Sequence, residues 1–128
     1  MATALDEEAV EANRRCALEA YDYYNNAQFD AFSACFADEV TSFRPEMKLQ
    51  NPKGLAVLSR DDFVVQQRKM RDLTGPVKVV EVYADRGVVA VVIEFTDGEL
   101  ASNTLQFTRA GLIERTFVRR GEIRPRYN

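Results

Sequence analysis

The chain has 128 residues, which at roughly 150 residues per domain makes one domain and leaves no room for a second. Lys and Arg number 17 against 20 Asp and Glu, a formal charge of -3 that argues against a nucleic-acid wrapper or a polybasic membrane binder. Histidine is absent, so Ser-His-Asp and Cys-His nucleophile pairs, His-containing zinc sites and a His general base are all excluded.

The other absences narrow the field further. Cys16 and Cys35 lie inside helical patterns and far apart in sequence, so neither CxxC redox chemistry nor a Cys-rich metal site is available, and both read as reduced core thiols. No Gly-rich phosphate loop occurs, so a bound nucleotide or dinucleotide is not indicated, and neither a metal nor a cofactor is expected. The first residues are acidic and carry no apolar run of signal length, and no stretch approaches the roughly 20 apolar residues of a membrane span. A cytoplasmic protein is expected.

From Thr3 to Asn25, Leu5, Ala9, Ala12, Cys16, Ala20 and Tyr24 recur at three- and four-residue steps, with Asp6, Glu7 and Glu8 at the positive end of the helix dipole. After the break at Asn25-Asn26-Ala27, Phe29, Phe32 and Phe36 share one stripe, which predicts a second helix running to Asp38. Val40 to Phe43 reads as a short strand ended by Arg44-Pro45, and residues 46 to 58 read as a loop. Ser59 with Asp62 resembles a capping box and opens a third helix, marked by Phe63, Gln67, Met70 and Leu73 and stopped by Gly75-Pro76. Four strands follow, at Val77 to Ala84, Val88 to Thr96, Glu99 to Thr108 and Leu112 to Arg120, separated by glycine-bearing turns. Helices first and an antiparallel sheet afterwards predict an α+β domain with the helices on one face.

Asp97-Gly98 as a two-residue turn pairs Thr96 with Glu99, Glu94 with Ala101 and Val92 with Asn103. One face then carries Val88, Ala90, Val92 and Glu94 with Ala101, Asn103, Leu105 and Phe107, and reads as the inward one. The other carries Val89, Val91, Ile93 and Phe95 beside Leu100, Ser102, Thr104 and Gln106, a composition suited to packing against a second subunit. A homodimer through this outer face is expected.

On the inward face Glu94 and Asn103 sit diagonally, roughly 7–8 Å apart at the backbone, within reach of one ligand. A carboxylate in an apolar cavity has its charged form disfavoured and suits proton transfer, while an Asn amide can donate to a developing oxyanion. Glu94 at the sheet's end reaching water or an arginine, and Asn103 satisfying a backbone group, are the structural alternatives. Arg44 shares a side of its strand with Ser42 and Val40, so its guanidinium can clamp an anion if that side faces inward, or sit on the surface if it does not. Tyr21, Tyr23 and Tyr24 close the first helix, and at least one should turn inward with its phenol as a donor.

The order of elements, together with Asn25-Asn26-Ala27-Gln28-Phe29-Asp30-Ala31-Phe32 and Cys35-Phe36-Ala37-Asp38-Glu39-Val40-Thr41, resembles the SnoaL-like branch of the NTF2-like superfamily over nearly the whole chain. The resemblance implies a single domain over residues 1–128, an α+β cone-shaped half-barrel in which three N-terminal helices close a curved, mainly antiparallel sheet around an apolar pocket, usually as a dimer. Transferred by position, the isomerases' catalytic carboxylate falls on Arg44 before Pro45, their hydrogen-bonding acid on Asn103 and their helix-one tyrosine on Ala20. The epoxide-hydrolase pattern needs an acid near Val118, and the dehydratases need a His. The resemblance also implies that Thr116, Val118 and Arg120 face the cavity.

These readings converge on a small, partly apolar organic ligand held by Ala20, Tyr24, Val92, Leu105, Val118 and Arg120. If the protein is an enzyme, a cofactor-free isomerase, cyclase or dehydratase is expected, with Glu94 as base or acid, Asn103 as oxyanion donor and Arg44 as anion clamp. The alternative is a non-catalytic ligand-binding or protein-interaction module of the same superfamily.

Overall fold

A computed structural model describes residues 4–43 and 55–121. Its elements are α1 (Ala4–Asn25), α2 (Phe29–Ser33), β1 (Phe36–Phe43), β2 (Leu55–Ser59), α3 (Arg60–Thr74), β3 (Lys78–Asp85), β4 (Val88–Glu94), β5 (Leu100–Phe107) and β6 (Ile113–Arg120). The six strands form one sheet in the order β2-β1-β6-β5-β4-β3, antiparallel throughout except where β1 runs parallel to β6. α1 packs over β3 and β4, α3 over β1 and β2, and α2 bridges the two helices. The architecture is therefore the expected α+β arrangement, with helices on one face of an open sheet. Among the described residues no helix is long and apolar enough to cross a membrane.

Two elements depart from the sequence expectation. The phenylalanine stripe supports only five residues of helix in α2, after which the Cys35 carbonyl accepts a 2.9 Å hydrogen bond from Ile113 N–H and the chain continues as β1. Phe29, Phe32 and Phe36 still reach one core, the first two from the helix and the third from the strand, so sheet pairing overrides the helical period at no cost in burial. Leu55–Ser59, expected as loop, is an edge strand whose residues alternate between exposed and half-buried. With no fully buried position, its periodic signal was weak.

Local chemistry closes α3 at both ends. Ser59 accepts from the Asp62 backbone N–H at 3.1 Å, and Gly75, at φ +76°, donates its N–H to the Arg71 carbonyl at 2.9 Å. Leu73, placed on the apolar stripe by spacing, is instead exposed. A side-chain clasp joins three elements nearby. Asn25 donates to the Val77 carbonyl at 2.7 Å and accepts from the Val77 N–H at 2.8 Å, while Arg71 donates to the Asn25 carbonyl at 2.8 Å. The ends of α1 and α3 and the approach to β3 are thereby held in one geometry.

The β4–β5 hairpin decides which side chains face the helices. The Gly98 N–H bonds to the Phe95 carbonyl and the Phe95 N–H to the Glu99 carbonyl, both at 2.9 Å, with Gly98 at φ +87°. The loop is thus Thr96-Asp97-Gly98, three residues rather than two, a turn followed by a left-handed glycine. Ile93 lies opposite Ala101 and Val91 opposite Asn103, one residue away from the register a two-residue turn gives. Because the side-chain period is two, the slip exchanges the faces of β4 while β5 keeps its own. Val89, Val91 and Ile93 enter the core, and Val88, Ala90, Val92 and Glu94 take the outer face.

Candidate functional site

Between the helices and the inner face of the sheet lies a cavity of about 260 Å³. One end is aromatic: Tyr24, Phe32, Phe36 and Phe63 line it, and ring centroids stand 6.0 Å apart for Tyr24–Phe32, 4.7 Å for Phe32–Phe36 and 4.9 Å for Phe36–Phe63. Such tilted pairs each add about 0.5–1.5 kcal/mol beyond their area burial. α3 contributes Phe63, Gln67 and Met70 at steps of four and three, the spacing that marked this stripe in the sequence.

The polar end is assembled from distant parts of the chain. Asn103 Nδ2 donates to the Tyr21 phenol oxygen at 2.7 Å across 82 positions of sequence. Asn103 Oδ1 is buried and has no hydrogen-bond partner among the described residues. Thr116 donates to Ser42 at 3.3 Å, so the two buried hydroxyls satisfy one another. Arg120 stands at the rim with its guanidinium carbon 4.0 Å from the Phe95 ring centroid, Nε 3.2 Å from Glu99 and Nη2 3.5 Å from Asp97. Its charge is already shared between two carboxylates that lie outside the cavity lining.

Of the residues proposed from sequence, Ala20, Tyr24, Asn103, Leu105, Val118 and Arg120 surround this one cavity. Glu94 and Val92 do not. The three-residue hairpin loop puts both on the outer face, where Glu94 ends β4 opposite Leu100 on one side and Lys78 on the other. The pairing of Glu94 with Asn103 over one ligand is therefore corrected. Arg44 falls outside the described residues. Sequence reasoning missed Phe95 and Ile93 through the same parity error, and left Tyr21 undistinguished from its two neighbours. A helical wheel anchored on Ala17 and Ala20 places Tyr21 and Tyr24 on the cavity side and was the available signal.

The described lining contains no carboxylate, and among the described residues no cluster of three or more His, Cys, Asp and Glu could hold a metal. What the site offers is an apolar wall, one amide whose carbonyl is unsatisfied, two phenols, and a cation whose charge is largely compensated. This chemistry suits enclosing and orienting a molecule with one polar edge.

Comparison with protein-family models and with curated protein sequences gives no match. Among solved structures, a SnoaL-like protein of unknown function from Burkholderia thailandensis E264 superposes with a TM-score of 0.75 at 16% identity, covering 86% of this chain and 94% of its own. A candidate ketosteroid isomerase from Kribbella flavida DSM 17836 gives a TM-score of 0.75 at 20% identity, with 93% and 84% covered. A candidate polyketide cyclase from Sinorhizobium meliloti gives 0.66 at 12% identity, with 82% and 94% covered. The chain has the NTF2-like cone fold that the sequence resemblance implied. At these identities the likeness concerns the fold, which hosts many chemistries.

Proposed function

We propose that the protein binds a small, mostly apolar organic molecule in the cone, oriented by a hydrogen bond to the Asn103 carbonyl. The observation that carries this reading is the buried Oδ1 without a partner among the described residues, in a wall that is mostly aliphatic and aromatic. A buried acceptor left unsatisfied costs about 1–3 kcal/mol, and a ligand hydroxyl or N–H at that position recovers it. The volume lies just below the roughly 300–1,000 Å³ of ordinary small-molecule pockets, which favours a ligand of one or two rings. Relatives of this fold that carry isomerase and cyclase names make such ligands reasonable. With Glu94 on the far face, binding is better supported than proton-transfer catalysis.

The test is titration with 2-naphthol, followed by naphthol fluorescence, which no tryptophan emission overlaps because the chain contains none. Saturable binding is expected, weakened about tenfold or more in Asn103→Leu and abolished in Ala20→Leu, whose added bulk enters the cavity. Binding indifferent to both substitutions would overturn the proposal. Naphthalene, which lacks the hydroxyl, should bind wild type and Asn103→Leu alike.

The same reading includes a homodimer through the outer sheet face. Half-buried Val88, Ala90 and Val92 lie there, Phe43 and Phe117 stack at 4.5 Å, and Val57 is 58% exposed. Sedimentation equilibrium should give twice the 14.5 kDa chain mass, and Val92→Lys should return it to one. A cytoplasmic setting belongs to the same reading, in which Cys16 and Cys35 remain free thiols.

A further inference from the structure

The hairpin loop that sets the faces of β4 also shapes the charge at the cavity rim. Arg120 is the one charged residue in the described lining, and its side chain is 31% exposed. Its guanidinium lies over the Phe95 ring at 4.0 Å, a contact that holds the charge at the rim.

Two carboxylates meet it there. Asp97 is placed by its own turn: Oδ1 accepts from the Glu99 N–H at 2.9 Å, while Oδ2 stands 3.5 Å from Arg120 Nη2. Glu99 Oε2 stands 3.2 Å from Arg120 Nε, and its Oε1 lies against Gly121, where a Cβ would come within 2.9 Å of it. Gly121, at φ +77°, bonds through its N–H to the Leu100 carbonyl at 3.0 Å. The seat of Glu99 therefore needs a glycine just past β6. Neighbouring charges point elsewhere. Arg119 has its guanidinium 5.4 Å from the Phe117 ring, and Glu94 sits on the outer face opposite Lys78.

Among the described residues the rim thus sets one guanidinium against two carboxylates, an excess of negative charge. Further along the lining, Asn103 Oδ1 is a buried acceptor without a partner among the described residues. A carboxylate ligand meets like charge at the first position and lone pairs at the second, whereas an uncharged hydroxyl or N–H meets neither obstacle.

We propose that Asp97 and Glu99 are specificity-determining residues that restrict the cavity to uncharged hydrogen-bond donors, by neutralising an arginine that would otherwise recruit carboxylates. The inference rests on the binding reading above and adds the charge class of the ligand. An arginine free at the edge of an apolar pocket is a carboxylate receptor. Here an anion reaches Arg120 only by breaking its existing pairs or by standing as a third carboxylate beside them, which is selection by repulsion.

Isothermal titration near pH 7 at low ionic strength compares 2-naphthol, uncharged there, with 2-naphthoate, which has the same rings and is ionised. The wild type should bind naphthol at least about tenfold tighter, and Asp97→Asn combined with Glu99→Gln should narrow that ratio by about tenfold or more. Glu99→Gln alone, which keeps the Asp97 turn bond intact, should move the ratio in the same direction. Adding Arg120→Gln to the double variant should cancel the gain, because the anion then has no cation to meet. Naphthoate bound as tightly as naphthol by the wild type, a ratio unmoved in both carboxamide variants, or a gain that persists without Arg120 would each overturn the proposal. If neither probe binds, the cone-binding reading falls and this one with it, whereas naphthol binding with an unmoved ratio removes the charge selectivity alone.

Discussion

The aromatic end and the polar end of the cavity are built on different physics. At the first, four rings from α1, α2, β1 and α3 pack on one another, and the side chains satisfy themselves. At the second, Asn103 leaves a buried carbonyl without a partner among the described residues, and a guanidinium is held in place by two partly exposed carboxylates. Dispersion and burial reward the first arrangement whether or not anything fills the cavity, whereas the second leaves hydrogen-bonding capacity that a water or a ligand can take up.

Truncating the aromatic end should produce the largest effect. Phe63 is 2% exposed and in ring contact with both Phe32 and Phe36, so Phe63→Ala should destabilise by about 3–5 kcal/mol in urea unfolding. A loss below about 1 kcal/mol would mean that this end is as loosely held as the other. The polar end should behave oppositely. Asn103→Leu removes an unsatisfied buried acceptor along with its bond to Tyr21, and stability should change by less than about 1 kcal/mol in the same assay, while 2-naphthol binding falls as described above. A substitution that cost as much as Phe63→Ala would turn Asn103 into a structural residue. The smallest effect belongs to Glu94, outside both ends. Glu94→Gln should alter stability by less than about 0.5 kcal/mol and leave 2-naphthol affinity within twofold, and a larger loss of binding would bring the carboxylate back to the site.

The contrast also explains which parts of the site could be read in advance. Tyr24 and Ala20 follow from helical spacing, and Asn103 and Leu105 follow from alternation along a strand whose inward parity any hairpin centred near Gly98 preserves once Ala101 is inside. Glu94 does not follow, because its face depends on whether the loop holds two residues or three. Asp97-Gly98 favours a two-residue turn by composition, yet the Phe95–Glu99 pairing and the left-handed Gly98 enclose Thr96 as well. The slip buries Val89, Val91 and Ile93 and leaves a terminal glutamate to solvent. Apolar burial at about 25 cal/mol per Å² outweighs a local turn preference.

Local and periodic interactions in the sequence alone determined three helices, the Ser59 cap, the glycine stop at Gly75, the four-strand meander and the α+β class, since each depends on neighbours within a turn or a hairpin. β2, the parallel pairing of β1 with β6 and the 82-residue reach from Tyr21 to Asn103 were decided only in the tertiary structure. Contacts of that span leave no period in the chain, because they are selected by the shared burial of surfaces that become neighbours only in the folded molecule.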